Sequence, residues 1–510
     1  MSKRPRACDA CQKLKAKCDF STSGPCSRCE RVGIECVPAA PRFQRDRIAE
    51  LEAQLHELRV TPTDDPVAFV NARMSFEMQQ RVLADFASQV LVVWPFLSAA
   101  DMDLDHLRAT APHLLLAIMA FPGKTGLPGK VQDELVVKAM SMFGNEIIAK
   151  GNRSLQMVKA LLTAAFWVRQ ARYSPHGHCY QLVQLAVDMA IDIGIAGPQL
   201  ARSPPAYFSA TNEPTSIDAR RTWVACFLAA TAQSLGTRRT PYLVWMPYLE
   251  DCVQHLEGHG DRLLSQIVRI VGITSDTARQ LDLYNHTAHR SVDQLAEQMA
   301  VLRGRVAAWH DQIPADLALH PLLCFWKEVA PVLIHEVVLH TPTNKASFAA
   351  PYVPEKLPVT DFAAPSELTP EVGRTLHRLV EACHAAIQRF AEMDTSMMLA
   401  PASLSIGPAV LYAHFLLTQT HVAVTGQGNS LGSVMGPSDV ALAVSMQKLE
   451  DVSRALDLVD PYQASFTTTM LKSSSWMRTW LKDYDAIVAR YIESVAQTQR
   501  RGAGTSYSGA

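Results

Sequence analysis

Along residues 130–149, 154–171 and 180–195, apolar side chains return every three or four positions, the spacing that gathers them on one face of an α-helix. SLQMVKALLTAAFWVRQA at 154–171 and YQLVQLAVDMAIDIGI at 180–195 are the clearest instances. The same period runs through 216–236, 260–282, 290–312, 370–393, 405–424, 438–457 and 465–495, while runs that alternate apolar and polar residues are scarce. Pro, Gly, Ser and Thr cluster at 196–215, 341–369 and 425–438, which predicts loops there. No pattern recurs at a fixed period of 20–50 residues, so a regular solenoid is not expected. These positions predict a large all-α domain over 61–497 and a disordered tail over 498–510.

Upstream the period shortens. In RIAELEAQLHELR, Ile48 and Leu55 fall at a positions and Leu51 and Leu58 at d positions of a heptad, with Arg47 at g able to meet Glu52 at the following e of a second chain. The register predicts a short parallel coiled coil and a homodimer. With fewer than two heptads, the alternative is an amphipathic helix packing on its own chain. Before it, VPAAPRFQRDR reads as an extended linker that spans about 38 Å at most. Linker and coil together occupy 41–60.

Residues 1–40 follow neither period. Cys8, Cys11, Cys18, Cys26, Cys29 and Cys36 form C-x2-C-x6-C twice, and they are six of the 11 cysteines in a chain of 510 residues. Two tetrahedral zinc ions need eight sulfur bonds, so six thiolates suffice only if two are shared. The first cysteine of each half is the natural bridge: Cys8, Cys11, Cys18 and Cys26 would hold one Zn²⁺, and Cys26, Cys29, Cys36 and Cys8 the other. Three disulfides are the competing reading, but MSKRPRACDA offers no apolar signal region to carry the chain into an oxidising compartment. Folding and metal binding are expected to be one event, because the stretch has almost no apolar residues to bury.

Charge divides the chain in the same place. Residues 1–47 carry 11 Lys/Arg against 5 Asp/Glu, a net of +6, and the remainder carries 37 against 44, a net of -7. A basic head on an acidic body suits a module that binds a polyanion. The cysteine stretch resembles the Zn₂Cys₆ DNA-binding domain of fungal transcription factors. That resemblance implies that the helix after the second cysteine points its C-terminal end into the major groove of double-stranded DNA and reads a CGG-like triplet. By position, Lys15 falls where a lysine reaches base edges and Lys17 where the family keeps a basic residue. Lys13, Arg28 and Arg31 are then expected at phosphates or in positioning contacts, and Lys3, Arg4 and Arg6 serve as phosphate clamp and nuclear import signal. The family usually has basic residues where this chain has Gln12 and Leu14.

Two further stretches, LAVDMAIDIGI at 185–195 and DARRTWVACFLAATAQSLGTRRTPY at 218–242, are similar to the middle homology region of the same regulators, with Arg220, Arg221 and Trp223 matching and Val224 replacing a second tryptophan. The resemblance implies an all-helical regulatory body, nuclear localisation, contacts with transcription machinery or co-regulators, and a gene cluster for secondary metabolism as a target. Trp223 and Phe227 would lie on a buried face, with Arg220 and Arg221 bonded to a helix end or an acidic neighbour.

No catalytic pattern emerges. His335, Glu336 and His340 miss the H-E-x-x-H spacing by one residue, which puts the histidines about 140° apart on a helix. YSPHGHCY at 173–180 holds His176, His178 and Cys179 in a loop, and FPGKTGLPGK at 121–130 and GQGNSLGSVMG at 426–436 fail the spacings of phosphate and dinucleotide loops. An enzyme is not expected. The alternatives are a ligand-sensing or enzymatic helical body tethered to DNA, a repressor in place of an activator, and a zinc-storage segment fused to a scaffold. Cys179, Cys226, Cys252, Cys324 and Cys383 read as separate thiols in a reducing compartment. No apolar run is long enough for a membrane span; HLLLAIMAF at 113–121 falls short.

Overall fold

A computed structural model describes residues 7–19, 24–37, 65–121, 127–167, 179–197, 213–357, 368–399, 403–426, 430–460 and 465–505. The chain divides into two compact units, Met1–Asp65 and Pro66–Ala510.

Among its described residues the first unit has two short helices, Asp9–Lys13 and Ser27–Val32, each starting directly after a cysteine. Its buried core is Cys8, Cys11, Cys26 and Cys29. Ile48, Leu51, Leu55 and Leu58 lie outside the described residues, as do Lys3, Arg4 and Arg6.

Among the described residues of the second unit, every regular element is a helix. At its middle runs Ile217–Thr237, in which nearly every side chain from Ala219 to Ser234 is buried. Its stretch 223–232 is apolar on nearly every side, as suits an interior, and its alanines let neighbours come close. It packs against Leu155–Phe166, Cys179–Asp192, Pro247–Gly258, Arg262–Gln280 and Ser403–Thr425. Ser403–Thr425 in turn packs on Pro370–Ala391, which meets Pro321–His335.

Local chemistry sets the helix starts. Ser154, Ser216, Thr369 and Ser465 each accept an amide hydrogen bond at an N-cap, and Ser291 with Gln294 closes a reciprocal capping box.

The predicted helices are present with shifted ends. The 130–149 segment is α-helical over Gly129–Phe143 and ends in a π turn, Gly144–Ala149. The 465–495 segment is two helices, Phe466–Ser473 and Trp476–Thr505, parted where the Ser473 and Ser474 hydroxyls bond back to the carbonyls of Met470 and Leu471. Trp476–Thr505 also runs past residue 497, where the periodicity predicts a tail. Phe76–Val93, Pro112–Ala120, Pro247–Gly258 and Pro321–His335 are helices that the periodicity does not single out. Pro112–Ala120 is buried from Leu114 onward, so its apolar run is core. Among the described residues, no helix is long and apolar enough to cross a membrane.

Buried ions join distant parts of this unit. Lys159, fully buried, donates to Asp101 at 2.7 Å and to Asp218 at 2.6 Å. Arg238 ends the central helix in the left-handed region at φ 56° and pairs with buried Glu336.

Candidate metal centre and nucleic-acid interface

The six N-terminal sulfurs close into one cage. Cys8, Cys11, Cys18 and Cys26 form one four-sulfur group and Cys8, Cys26, Cys29 and Cys36 the other, with the sulfurs of each group within 4.8 Å of one another. Cys8 and Cys26 belong to both. The Sγ atoms of Cys8 and Cys26, of Cys11 and Cys26, and of Cys18 and Cys8 are each 3.7 Å apart, and those of Cys8 and Cys29 are 3.5 Å apart. Two thiolates bound to one tetrahedral zinc at about 2.3 Å stand about 3.8 Å apart, so the cage has the size that two shared-edge zinc sites require. A disulfide would need sulfurs at about 2 Å, and all six cysteines are free.

The cage is built twice by the same fold at an offset of 18 residues. Cys8 N–H donates to Cys18 Sγ at 3.3 Å, and Cys26 N–H to Cys36 Sγ at 3.2 Å. Ala16 N–H reaches Cys11 O at 2.9 Å, and Ile34 N–H reaches Cys29 O at 3.1 Å. Each half then turns through the left-handed region, at Lys15 with φ 51° and at Gly33 with φ 67°. Glycine takes that conformation without cost, whereas a lysine there is uncommon and worth explaining by what it presents.

The bridging positions are the N-caps of the two helices. Cys26 Sγ accepts from Cys29 N–H at 3.5 Å, and this amide is the main reason its thiol falls to about 6. The Cys11 amide chiefly lowers Cys8 in the same way, while burial raises Cys11 to about 11 and raises Cys29. The two sulfurs that must each serve two metals are thus shifted toward the thiolate, whereas Cys11, Cys29 and Cys36 are shifted away from it.

Two side chains brace the cage. Arg28, half-buried, places its guanidinium 3.8 Å from Cys11 Sγ, where it offsets the net negative charge of six thiolates around two Zn²⁺. Asp19 accepts from Ser27 N–H at 3.0 Å and from the Ser27 hydroxyl, which ties the end of the first half to the start of the second helix and lowers the carboxyl. The cysteine spacing points to neither contact; the only hint is an acidic residue directly after the third cysteine.

Lys13, Lys15 and Lys17 are all exposed beside the cage. Lys13 Nζ lies 2.7 Å from Asp9 across one helical turn. In 8–18 these three lysines stand against Asp9 alone, a net of +2, whereas in 26–36 Arg28 and Arg31 are balanced by Glu30 and Glu35. Arg31 is exposed on this neutral half.

The other candidate constellations dissolve into packing. Pro321–His335 ends at the first histidine of the H-E-x-x-x-H stretch, and Glu336–Leu339 is a 3-10 turn. Glu336 is taken by Arg238, and His340 lies 3.5 Å from it with its ring against Phe348. His176 and His178 lie outside the described residues. Arg220 pairs with Asp251, Arg221 bonds Asp261 at 2.6 Å, and Trp223 and Phe227 are buried, so this stretch stabilises the body. Cys226, Cys252 and Cys383 are buried thiols, and Cys179 and Cys324 are half-buried.

Comparison with known proteins places these features. Residues 6–46 match the model of the fungal Zn(2)-Cys(6) binuclear cluster domain. Transcription factor pbcR of Emericella nidulans is 22% identical over an alignment of 360 residues, covering 54% of this chain and 48% of that protein. The chain therefore spans about half the length of that relative. No solved structure matches. With two shared-edge sulfur groups of the right size inside the matched segment, the N-terminal module of this chain is a fungal Zn(2)-Cys(6) binuclear cluster domain that holds two zinc ions.

Proposed function

We propose that this chain is a nuclear, sequence-specific regulator of transcription that binds double-stranded DNA through the zinc module and reads CGG-like triplets. The observation that carries this reading is the asymmetry between the two halves of the cage: one fold, repeated, bears three exposed lysines on the first half and no net charge on the second. A polyanion is drawn more strongly to the first half, with exposed Arg31 of the second half left as a positioning contact. Lys15, lifted out of the helical path by its positive φ, donates to the O6 and N7 of a guanine; Lys13 and Lys17 flank it at phosphates. The relative's printed name supports the same class. The helical body, in which the buried ions Lys159, Arg238 and Glu336 are paired internally, acts as the regulatory and partner-binding part. Ile48, Leu51, Leu55 and Leu58 join two chains into a dimer whose linker sets the distance between triplets.

Selection of random duplexes by the zinc-loaded full chain tests this. Two CGG-like triplets at one fixed spacing are the expected result, with affinity falling steeply as salt rises. A single triplet would limit the chain to monomeric binding and return the four apolar residues of 48–58 to packing. Failure to enrich any sequence would overturn specific DNA recognition.

A further inference from the structure

Between the lysines of the first half stands an apolar side chain. Leu14 is the C-cap of the Asp9–Lys13 helix and is 62% exposed, the most exposed large apolar residue among the described residues of the module. Its counterpart 18 residues on is Val32, 61% exposed, between Arg31 and Gly33 and flanked further out by Glu30 and Glu35. The repeat thus lifts an apolar side chain out of the same turn in both halves, but Leu14 has a lysine on either side, Lys13 and Lys15, whereas Val32 has Arg31 on one side only, offset by Glu30 and Glu35. A leucine there forgoes the electrostatic attraction that a fourth basic residue would add, so its contribution lies in what it touches.

We propose that Leu14 reads the C5-methyl group of a thymine next to the guanine contacted by Lys15, and so extends the recognised sequence beyond the triplet. The inference rests on the proposed reading of residues 13–17 as the DNA-facing stretch. Within that reading the geometry restricts the contact. Consecutive Cα atoms are about 3.8 Å apart and base pairs rise about 3.4 Å, so side chains of Leu14 and Lys15 fall within one or two base pairs of each other. In the major groove, the one apolar group presented by an unmodified base pair is the thymine methyl, and an aliphatic side chain without donors or acceptors discriminates nothing else there. Because Leu14 has no hydrogen-bonding atoms, it neither competes with Lys15 for the guanine nor leaves a polar group unpaired in the groove.

The test uses the zinc-loaded full chain and the duplex that it selects from a random pool. Thymines within two base pairs of the triplet guanines are replaced one at a time by uracil, which removes only the methyl group. One of these replacements should weaken binding about fourfold, the worth of one buried methyl group. With Leu14→Ala, whose site is exposed and does not threaten the cage, the same replacement should change affinity by less than about 1.5-fold, since the contact is already lost. If a site is selected but contains no thymine at those positions, or tolerates uracil at all of them, or remains sensitive to uracil in Leu14→Ala, the inference is overturned while DNA recognition stands. If no sequence is enriched, DNA recognition fails first and takes the inference with it.

Discussion

At the scale of single residues, what distinguishes one cysteine from another is how many metals it serves. Cys26 is shared by both sulfur groups, whereas Cys18 belongs to one. Cys26→Ser should therefore reduce bound zinc from two per chain to below one, and Cys18→Ser should retain more of it, as metal content after gel filtration would show. Lys15 is the residue on which specificity is expected to turn. Lys15→Ala should cost about 1–3 kcal/mol in binding and relax preference at one base pair, measured by competition between matched and singly mismatched duplexes. If Lys15→Ala keeps its full preference, base readout lies elsewhere. The ligands and lysines are legible from spacing because a metal site is set by residue type and separation. Arg28 and Asp19 are not, because their partners lie 17 and 8 residues away and are brought close only by the folded loop.

At the scale of elements, close packing overrides intrinsic preference. Gly272 sits inside Arg262–Gln280, where alanine would ordinarily favour the helix by up to about 1 kcal/mol. A Cβ at Gly272 would meet the Trp245 ring at 2.6 Å, and Trp245 is itself set edge-on to Phe227. Overpacking costs about 1–3 kcal/mol, so Gly272→Ala should lower the stability seen in urea denaturation, against its helix propensity. Ser403–Thr425 carries a second element-scale prediction. His414 is fully enclosed in it, with Nδ1 3.3 Å from the Ser445 hydroxyl, and burial, reinforced by His384, holds its pKa at about 4. The unfolded chain takes up a proton near pH 6.5 that the folded one refuses, so this histidine costs nothing above that pH. Stability then falls by about 1.4 kcal/mol per unit as pH drops from 6.5 to about 4. His335, also held at about 4 by burial, adds to the slope. A shallower decline in His414→Gln than in the unaltered chain, followed by denaturant titration at several pH values, is the expected outcome.

At the scale of the whole molecule, charges far apart in sequence hold the helical unit in one arrangement. Arg238 and Glu336 are 98 residues apart, both buried, and Arg238 also lies 4.2 Å over the Tyr412 ring. Removing one partner leaves an uncompensated buried charge, so Glu336→Ala should destabilise the body by about 3–5 kcal/mol in chemical denaturation. A loss below 1 kcal/mol would mean that Arg238 finds water or another partner. The sequence shows none of this: H-E-x-x-x-H reads as a failed metal motif, and GTRRTP at 236–241 gives no sign that the first of its two arginines faces inward. By itself the sequence determined that the chain has a metal-stapled basic head and a helical body. Both depend on local rules, the ligand spacing that a tetrahedral ion demands and the 3.6-residue period that one buried face demands. Helix ends, the split after Ser473, the central place of Ile217–Thr237 and the pairing of Lys159 with Asp101 and Asp218 and of Arg238 with Glu336 were decided only in the tertiary structure. The physical reason is that a buried charge or an all-apolar helix has no preferred neighbour within its own stretch, and its partner is selected by which distant surfaces close over it.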